Sequence, residues 1–352
     1  MNKQDQIASF NPNGVGVKGT LFGLPFTEAT AEVIVIPVPW DVTASYGGGT
    51  SGGPLAILAA STQLDNEQSD IPEAWKLGIT MAEIPEVWNS LSTAYRQKAV
   101  RYIDWLEAGS DEVQKEEMVN ILAEINEQCA QLMTYVGQET AYWLKQGKMT
   151  VLLGGDHSAP YGHIKACSNF HGALGVLQID AHADLRNAYE GFDYSHASIM
   201  SNVLGIKEVA KLIQVGVRDY CPEEAELINN SDRIVTFFDQ HIKEAAYAGK
   251  TWAHQCDEII TELPDQVYIS FDIDGLNPSY CPNTGTPVPG GFDLDQIMFL
   301  VKAVVKSGRK IVGMDLCEIA EGDGDYDANV GARALYRMIN LMAVSNQKLS
   351  FQ

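Results

Sequence analysis

Short apolar runs alternate with amphipathic stretches along most of this chain. Seven apolar runs predict β-strands, and between them apolar positions recur at three- and four-residue steps, which predicts helices. Apolar strands separated by amphipathic helices indicate a parallel sheet covered on both faces. The predicted strands are 31–38, 149–153, 173–180, 213–218, 234–237, 267–272 and 311–316. The pattern predicts a single α/β domain, a three-layer α/β/α sandwich with a central, mainly parallel sheet.

The amphipathic stretches complete the outline of this domain. Residues 1–30 are polar and punctuated by Gly and Phe, which favours an N-terminal arm or loop. Residues 62–120 are acidic and carry tryptophans, and we interpret them as a helical insertion or a subunit contact. Since no repeat or linker divides the remainder, the domain is predicted to span 31–352. The predicted helices are 55–61, 91–105, 111–145, 198–204, 223–228, 240–248, 294–307 and 331–344.

Regularly spaced polar residues follow the apolar run 173–180. Alternate side chains of an extended chain point the same way, so Asp180, His182 and Asp184 are expected to converge on one side. Carboxylates and imidazoles are common metal ligands. One such triplet is a weak signal, because acids and histidines often lie where a strand meets solvent.

The arrangement recurs at two further strand ends. The run 267–272 ends in Asp272 and continues to Asp274, again two acids on one side. The run 149–153 leads into G-G-D-H-S, where paired glycines are expected to free the backbone for a tight turn that holds His157. Sites in such sheets form at the carboxyl ends of the strands. We therefore expect all these side chains to meet at one edge of the sheet.

Together these positions supply four carboxylates and two imidazoles. They are His157, Asp180, His182, Asp184, Asp272 and Asp274. Two divalent cations would balance the four negative charges, whereas one would leave the cluster repelling itself. Oxygen and nitrogen donors without a thiolate suit Mn²⁺, although Ni²⁺, Co²⁺ and Fe²⁺ accept the same ligands. A hydroxide shared by two metal ions is a nucleophile near neutral pH, which indicates hydrolysis at an electrophilic carbon or phosphorus.

The surroundings of these motifs bear on the substrate. Few cationic side chains accompany them, which argues against a phosphatase, and nearby acids such as Glu318 favour a cationic substrate. A glycine-rich loop at 39–54 matches neither of the common phosphate-binding patterns. Two interpretations of this loop stay open: a segment that folds over the site, or a purely structural turn.

Composition narrows the class of protein. The chain has 352 residues and 45% hydrophobic content, enough for a large core, and 24 Lys+Arg against 46 Asp+Glu give a formal charge of −22. Such a charge argues against nucleic acid or an anionic membrane as a partner. No apolar run approaches the roughly 18–20 residues of a spanning helix, and the first residues lack an apolar signal core. Six scattered cysteines without C-x-x-C spacing favour a reduced cytoplasm.

Four motifs together resemble one known family. G-G-D-H-S at 154–158, D-A-H-A-D at 180–184, S-F-D-I-D-G-L-N-P at 270–278 and G-T-P-V-P-G-G at 285–291 are similar to the signatures of the ureohydrolases. That family includes arginases, agmatinases, guanidinobutyrases and formimidoylglutamases. The resemblance covers about residues 31–345. It implies release of urea and an amine from a guanidino compound, and assembly as a homotrimer or homohexamer.

The resemblance also assigns roles to the candidate ligands. Asp180 and Asp272 would bridge two metal ions. His157 and Asp184 would complete one site, with Asp184 also aiming the bridging hydroxide, and the remaining ligands, His182 and Asp274, the other.

Two further residues match the family's substrate machinery. His196, in Y-S-H-A-S, would be the proton shuttle to the leaving amine. Glu318 would receive the guanidinium group. A non-catalytic, metal-binding regulatory relative is the alternative from a different class; the presence of every ligand, His196 and Glu318 argues against it.

The substrate's tail is less defined. D-L-R-N and Y-S-H-A look like an agmatinase branch, so agmatine is the first choice, and guanidinobutyrate, guanidine, arginine and formimidoylglutamate stay open. Arg186 is expected either to pair with acids such as Glu190 or to contact an anionic substrate tail. Cys221, where arginases commonly have an acid, and Asn277, where the motif often has Asp, depart from the family pattern.

Overall fold

One sheet of eight parallel strands forms the centre of the computed structural model, which describes residues 1–352. The strands are β1 Val33–Val38, β2 Ile79–Met81, β3 Met149–Gly154, β4 Leu174–Ile179, β5 Val209–Val215, β6 Ile234–Phe237, β7 Gln266–Asp272 and β8 Lys310–Cys317. Their spatial order is β2-β1-β3-β8-β7-β4-β5-β6. β1, V-I-V-I-P-V, is buried throughout, as expected of an apolar strand covered on both faces.

Eleven helices surround this sheet. They are α1 Lys3–Ser9, α2 Gly53–Ala60, α3 Glu86–Glu107, α4 Lys115–Lys145, α5 Tyr161–His171, α6 Ile199–Leu204, α7 Pro222–Asn230, α8 Asp239–Tyr247, α9 Trp252–Glu262, α10 Leu294–Lys306 and α11 Tyr326–Ser345. Consecutive residues of β4 enter different hydrophobic clusters, Val176 the smaller and Leu177 the larger, so the sheet carries a core on each face. The predicted three-layer α/β/α fold is confirmed. None of the helices combines the length and apolar character needed to cross a membrane.

Several elements lie outside the predicted pattern. The edge strand β2 has only three residues, too few to show a period, and it lies in the segment interpreted as a helical insertion. Helices α5 and α9 are also additional to the predicted set. Helix α4 begins at Lys115 instead of 111, because the Asp111 carboxylate accepts the N–H groups of Val113 and Gln114 in a turn ahead of it.

Residues 1–30, expected to be an arm or loop, are partly regular and partly buried. They include α1, whose Asn2 and Asp5 form a reciprocal capping box. Leu21, Phe22 and Leu24 lie in the larger hydrophobic cluster. Apolar residues in an otherwise polar, glycine-containing stretch carry no periodicity, so the sequence pattern does not reveal their burial.

Sheet order determines where the predicted site residues meet. The strands β3, β8, β7 and β4 are consecutive neighbours, although long crossovers separate them in sequence. His157 follows β3, Glu318 follows β8, Asp272 ends β7 and Asp180 follows β4. All strands are parallel, so these four positions lie at the same edge of the sheet.

Candidate metal centre and active site

Imidazole and carboxylate groups from three strand ends converge at this edge. His157 Nδ1 lies 3.0 Å from Asp180 Oδ2, 3.0 Å from Asp184 Oδ2 and 3.4 Å from Asp272 Oδ2. His157 and these three carboxylates are all buried. The four side chains therefore share one buried space.

Two overlapping groups have the spacing of metal-binding donors. His157, Asp180 and Asp272 form one, and Asp180, His182 and Asp274 form the other; the ligand atoms of each group lie within 4.8 Å of one another. Asp180 belongs to both groups, as a bridging ligand would. Asp272, expected to bridge as well, belongs to the first group alone.

The approach of these side chains has a different origin from the one expected. Strand β4 ends at Ile179, the chain bends at Ala181, and only His182 of the D-A-H-A-D motif makes a β-bridge, to Asp219, so strict alternation along a strand does not apply to the motif. Instead, Asp180 Oδ1 accepts the His182 N–H at 2.6 Å in a local turn. Asp184 has φ +55°, and its carbonyl accepts the Met200 N–H at 3.0 Å from the start of α6.

Burial and mutual repulsion shift the pKa values of the side chains in this cluster. Burial, reinforced by the charges of Asp274 and Asp180, raises the pKa of Asp272 well above its usual range. Burial and the Asp180 charge raise the pKa of Asp184 to about 7. Burial alone would lower the pKa of His182, but Asp274 and Asp180 raise it to about 12. Buried carboxylates that repel one another are the environment that divalent cations neutralise.

The other ring nitrogen of His157, Nε2, is held by a hydrogen bond to Ser270. Nε2 lies 2.9 Å from Ser270 Oγ, and that hydroxyl donates to Asp315 Oδ1 at 3.1 Å. Because the single Ser270 proton is used on Asp315, the hydroxyl accepts from His157 Nε2–H, which leaves the lone pair on Nδ1. The Nδ1 nitrogen that faces the three carboxylates therefore holds either a proton or, with its lone pair, a metal ion, and a cation bound there in place of the proton would satisfy both the imidazole and the carboxylates. The donor set fits a metal centre.

Neither Ser270 nor Asp315 was among the residues predicted from the sequence. A signal for Ser270 was present, since it lies two residues before Asp272 on the same strand and therefore on the same side. Asp315 pairs in register with Ser270 across β7 and β8, which requires the sheet order.

The G-G-D-H-S glycines have a different role from the one expected. Neither Gly154 nor Gly155 has a positive φ, so the motif does not need left-handed backbone. Each lies against a close neighbour: a Cβ on Gly154 would overlap Cys317 Sγ, and one on Gly155 would overlap the Trp40 carbonyl oxygen. These glycines let the chain pass close enough to hold His157 at the sheet edge.

A cavity of about 200 Å³ lies beside the cluster, and its wall includes His182, Asp184 and His196. His196 Nδ1 lies 3.1 Å from the Thr43 carbonyl oxygen, and Nε2 lies 3.2 Å from Ser45 Oγ. A carbonyl can only accept, so Nδ1 carries the proton and Nε2 is free to accept one. Burial lowers the pKa of His196 to about 4. The glycine-rich loop therefore borders the site through Ser45.

Three charged residues outside the candidate metal ligands also line this cavity: Arg186, Asp219 and Glu224. Arg186 Nε lies 3.9 Å from Glu224 Oε2, and its guanidinium lies 4.5 Å over the Tyr189 ring. Its acidic partner is thus Glu224 and not Glu190. Asp219 makes no ion pair and no side-chain hydrogen bond within the chain.

Glu318 is hydrogen-bonded to the backbone of His157 and is not among the residues that line this cavity. Its Oε1 accepts the His157 N–H at 2.9 Å, while Oε2 has no hydrogen-bond partner. Burial, followed by the charge of Asp156, raises the pKa of Glu318 well above its usual range. Its φ of +65° is left-handed, a strained conformation for a non-glycine residue, of the kind found at functional sites.

Comparison with known proteins identifies the family. The sequence model described as the Arginase family matches residues 31–340, most of the chain. This chain belongs to the arginase family. The resemblance of the four motifs to ureohydrolases is thereby confirmed.

Curated relatives in the arginase family have similar length. An N(1)-aminopropylagmatine ureohydrolase of Thermus thermophilus is 31% identical over 326 residues, which are 93% of this chain and 94% of that protein. The N(1)-aminopropylagmatine ureohydrolase of Synechocystis is 27% identical over 91% of this chain and 92% of that protein. The guanidinobutyrase of Pseudomonas aeruginosa is 25% identical over 91% of each.

Solved structures show the same fold. The agmatine ureohydrolase of Thermoplasma volcanium superimposes with a TM-score of 0.68 at 18% identity, covering 98% of this chain and 99% of that chain. Arginase-family ureohydrolases hydrolyse C–N bonds of guanidino compounds, and the family is one of binuclear, manganese-type enzymes. The expected hydrolase class is confirmed. The His/Asp groups of this chain could bind metal ions.

Proposed function

We propose that this chain is a two-metal hydrolase that releases urea from a small cationic guanidino compound, with agmatine as the first-choice substrate and putrescine as the amine. One observation carries the proposal: the buried ligand cluster and the unprotonated Nε2 of His196 border the same cavity. A hydrolase of this class needs both a metal-activated nucleophile and a proton donor for the leaving amine.

The six carboxylate and imidazole residues would hold the ions. We assign His157 and Asp184 to one ion and His182 and Asp274 to the other. Asp180 and Asp272 would be shared. Bound there, two divalent cations would supply a Lewis acid and a hydroxide nucleophile near neutral pH. Mn²⁺ is the first choice and Ni²⁺ the second.

His196 is assigned the proton transfer. The Thr43 carbonyl fixes its Nδ1–H, so any further proton is held at Nε2, which is the nitrogen beside Ser45 at the cavity wall. Burial that lowers the pKa of His196 to about 4 makes the protonated ring a strong acid. It would give up that proton readily to a leaving amine, which is far more basic.

We assign Glu318 the binding of the substrate's guanidinium group. One of its oxygens is occupied by the His157 N–H, and Oε2 is free. A planar guanidinium donates well to such an oxygen through a charge-assisted hydrogen bond. The cation would also stabilise the charged carboxylate in its buried site.

The charges of the cavity wall favour an amine tail over a carboxylate tail. Arg186 is offset by Glu224, and Asp219 remains unpaired. An ammonium group would pair with Asp219, whereas the tail of guanidinobutyrate would have to draw Arg186 away from Glu224. Relatives named for N(1)-aminopropylagmatine, at 31% and 27% identity, favour that longer cation as a second candidate over the substrate of the 25% identical guanidinobutyrase.

A urea-release assay tests this proposal. Protein loaded with Mn²⁺ or Ni²⁺ is given agmatine, N(1)-aminopropylagmatine, guanidinobutyrate, guanidine or arginine. We expect the highest kcat/KM with one of the first two, and with Asp219→Asn a loss of roughly tenfold for amines, in keeping with a lost charged contact, but none for guanidinobutyrate. Asp257→Asn, an exposed change on α9, is the matched control. Ammonia release from formimidoylglutamate without urea from any guanidino compound would overturn the assignment.

Assembly as a homotrimer or homohexamer stays a prediction. Light scattering of the purified chain at assay concentration measures it directly, and a monomeric mass would contradict it.

A further inference from the structure

An arginine outside the ligand cluster holds the loop that contacts His196. Arg96 lies on α3, in the acidic segment for which the sequence indicated no chemistry. Its Nη1 donates to the carbonyl oxygens of Val42 at 3.2 Å and of Ala44 at 2.5 Å. These two carbonyls are the only hydrogen-bond partners of Arg96, which has no carboxylate within ion-pair distance. The Arg96 guanidinium thus makes all its hydrogen bonds to the glycine-rich loop.

The same loop presents its other groups to His196. Thr43, between the two residues held by Arg96, accepts the His196 Nδ1–H through its carbonyl at 3.1 Å. Ser45, the next residue after Ala44, places its hydroxyl 3.2 Å from His196 Nε2. Both ring nitrogens of His196 therefore contact the four-residue stretch 42–45, and Arg96 is hydrogen-bonded to two carbonyls of the same stretch.

Residues 42–44 of the loop are buried, and the Ala44 N–H donates to the Asp41 carbonyl at 3.3 Å, but their side-chain hydrogen bonds are few. The Thr43 hydroxyl donates weakly, at 3.3 Å to the Tyr194 carbonyl and 3.4 Å to the Asp156 carboxylate. Asp41 accepts the Gly49 N–H at 2.9 Å, which fixes the far end of the loop and not the stretch at His196. The charge-assisted bonds from Arg96 are thus the strongest side-chain contacts of residues 42–45.

We propose that Arg96 is a positioning residue for His196: by holding the carbonyls of Val42 and Ala44, it fixes the Thr43 carbonyl and Ser45 hydroxyl that set the tautomer and direction of the His196 ring. This inference rests on the proposed function, in which His196 transfers a proton. It gives α3 a role in the reaction although none of its residues borders the cavity. A guanidinium suits this task because one rigid group can hold two carbonyls, whereas a lysine ammonium is a flexible point charge.

Three variants test the proposal. Arg96→Met keeps the length of the side chain and removes every donor. Arg96→Lys keeps the charge without the rigid fork. Arg101→Met is the matched control, because Arg101 lies on the same helix and its ion pair with Glu117, at 2.7 Å, is on the surface.

The measurements are kcat and KM for urea release, metal content, and ¹⁵N NMR of labelled histidine, with the His196 signals assigned by their loss in His196→Asn. For Arg96→Met we expect kcat to fall roughly tenfold or more, since small misplacements of a catalytic group are costly. KM and metal content should change little, and the His196 signals should shift from one Nδ1–H tautomer to a mixture. Arg96→Lys should be intermediate, and Arg101→Met should match the wild type.

Each contrary result is informative. Wild-type kcat and an unchanged His196 spectrum in Arg96→Met would overturn the proposal. So would a raised KM with unchanged kcat, because Arg96 would then act on substrate binding. If Arg96→Met does not fold, an unchanged spectrum and kcat in Arg96→Lys and Arg96→Gln overturn it equally. If the wild type releases no urea, the proposed function fails, while the spectrum still reports whether Arg96 holds His196.

Discussion

Two buried histidines, six residues apart in the sequence, lie in opposite environments. Burial alone would lower the pKa of His157, but Asp180 and Asp184 raise it well above its usual range. His163 on α5 has hydroxyl neighbours instead: Nδ1 lies 2.8 Å from Tyr268 Oη, and Nε2 lies 3.0 Å from Thr150 Oγ1. Burial lowers the pKa of His163 to about 3.

The difference shows that burial does not decide what a histidine does. His163 is neutral and satisfied by two hydroxyls, so it joins parts of the core. His157 faces several carboxylates that repel one another, and bound cations would reduce this repulsion. The two regions differ in position as well, because the acidic one lies at the carboxyl ends of the strands and the hydroxyl-lined one lies between α5 and the sheet.

Removal of a shared carboxylate should have the largest effect on turnover. In Asp272→Ala we expect lost metal binding and urea release reduced by roughly a thousandfold or more, because the metal-activated nucleophile is lost. Metal analysis and the urea assay measure both. Asp257→Ala, an exposed change on α9, is the control. Full activity of metal-depleted Asp272→Ala protein would show that the acidic region around His157 does not act through bound metal ions.

Replacement of the cavity histidine should separate proton transfer from metal binding. His196→Asn is expected to lower kcat by roughly a hundredfold or more, the usual contribution of a general acid, while metal content stays at the wild-type level. His254→Asn, on the exposed surface of α9, should leave kcat unchanged. Loss of metal in His196→Asn would show that His196 belongs to the ligand cluster instead.

Neutralisation of Glu318 should act on substrate binding. Glu318→Gln keeps the shape and an oxygen for the His157 N–H, but it loses the charge. A hydrogen bond to a charged group is worth about 1.5–3 kcal/mol, so KM for agmatine should rise by roughly tenfold or more. The exposed neighbour Glu321→Gln serves as the control. An unchanged KM would place the guanidinium elsewhere in the site.

Replacement of the core histidine should affect stability and leave turnover intact. His163→Phe leaves the hydroxyls of Tyr268 and Thr150 without their partner, which should lower the free energy of unfolding by about 1–3 kcal/mol at pH 7. Activity of the folded variant should match the wild type. A large loss of kcat with normal metal content would show that His163 contributes to turnover as well as to stability.

The same variant has a pH signature. The pKa of His163 is about 3 in the folded state and 6.5 as its ordinary value, so its contribution is complete above pH 6.5. That contribution is lost as the pH falls toward 3, by up to about 1.4 kcal/mol per pH unit. His163→Phe lacks this dependence, so its deficit relative to the wild type should shrink in acid. Denaturant unfolding at several pH values measures the deficit, and a constant value would contradict a neutral, buried His163.

Local periodicity accounts for what the sequence could predict. Seven of the eight strands show as apolar runs, and β2 does not because three residues carry no period. Carboxylates and histidines directly after such runs belong to the same sheet edge whatever the order of parallel strands is, so the cluster of candidate ligands could be predicted. His163 could be set apart from His157 only by position, since it does not follow a predicted strand.

Contacts between distant segments account for what the sequence could not predict. The cavity wall joins Ser45, Arg186 and Asp219 from three separate loops, and the Arg96 contacts join a helix to the glycine-rich loop. Asp184 and Glu318, whose backbones are in the left-handed region, also make backbone hydrogen bonds to other segments, to Met200 and Gly155. None of these leaves a periodic signal.

Anomalous X-ray scattering from crystals grown with Mn²⁺, recorded at the manganese edge, tests the two-cation centre most directly. We expect two peaks per chain, one beside His157 and Asp184 and one beside His182 and Asp274, with Asp180 between them. A single peak, or peaks remote from these side chains in protein that releases urea at its full rate, would contradict the two-cation centre.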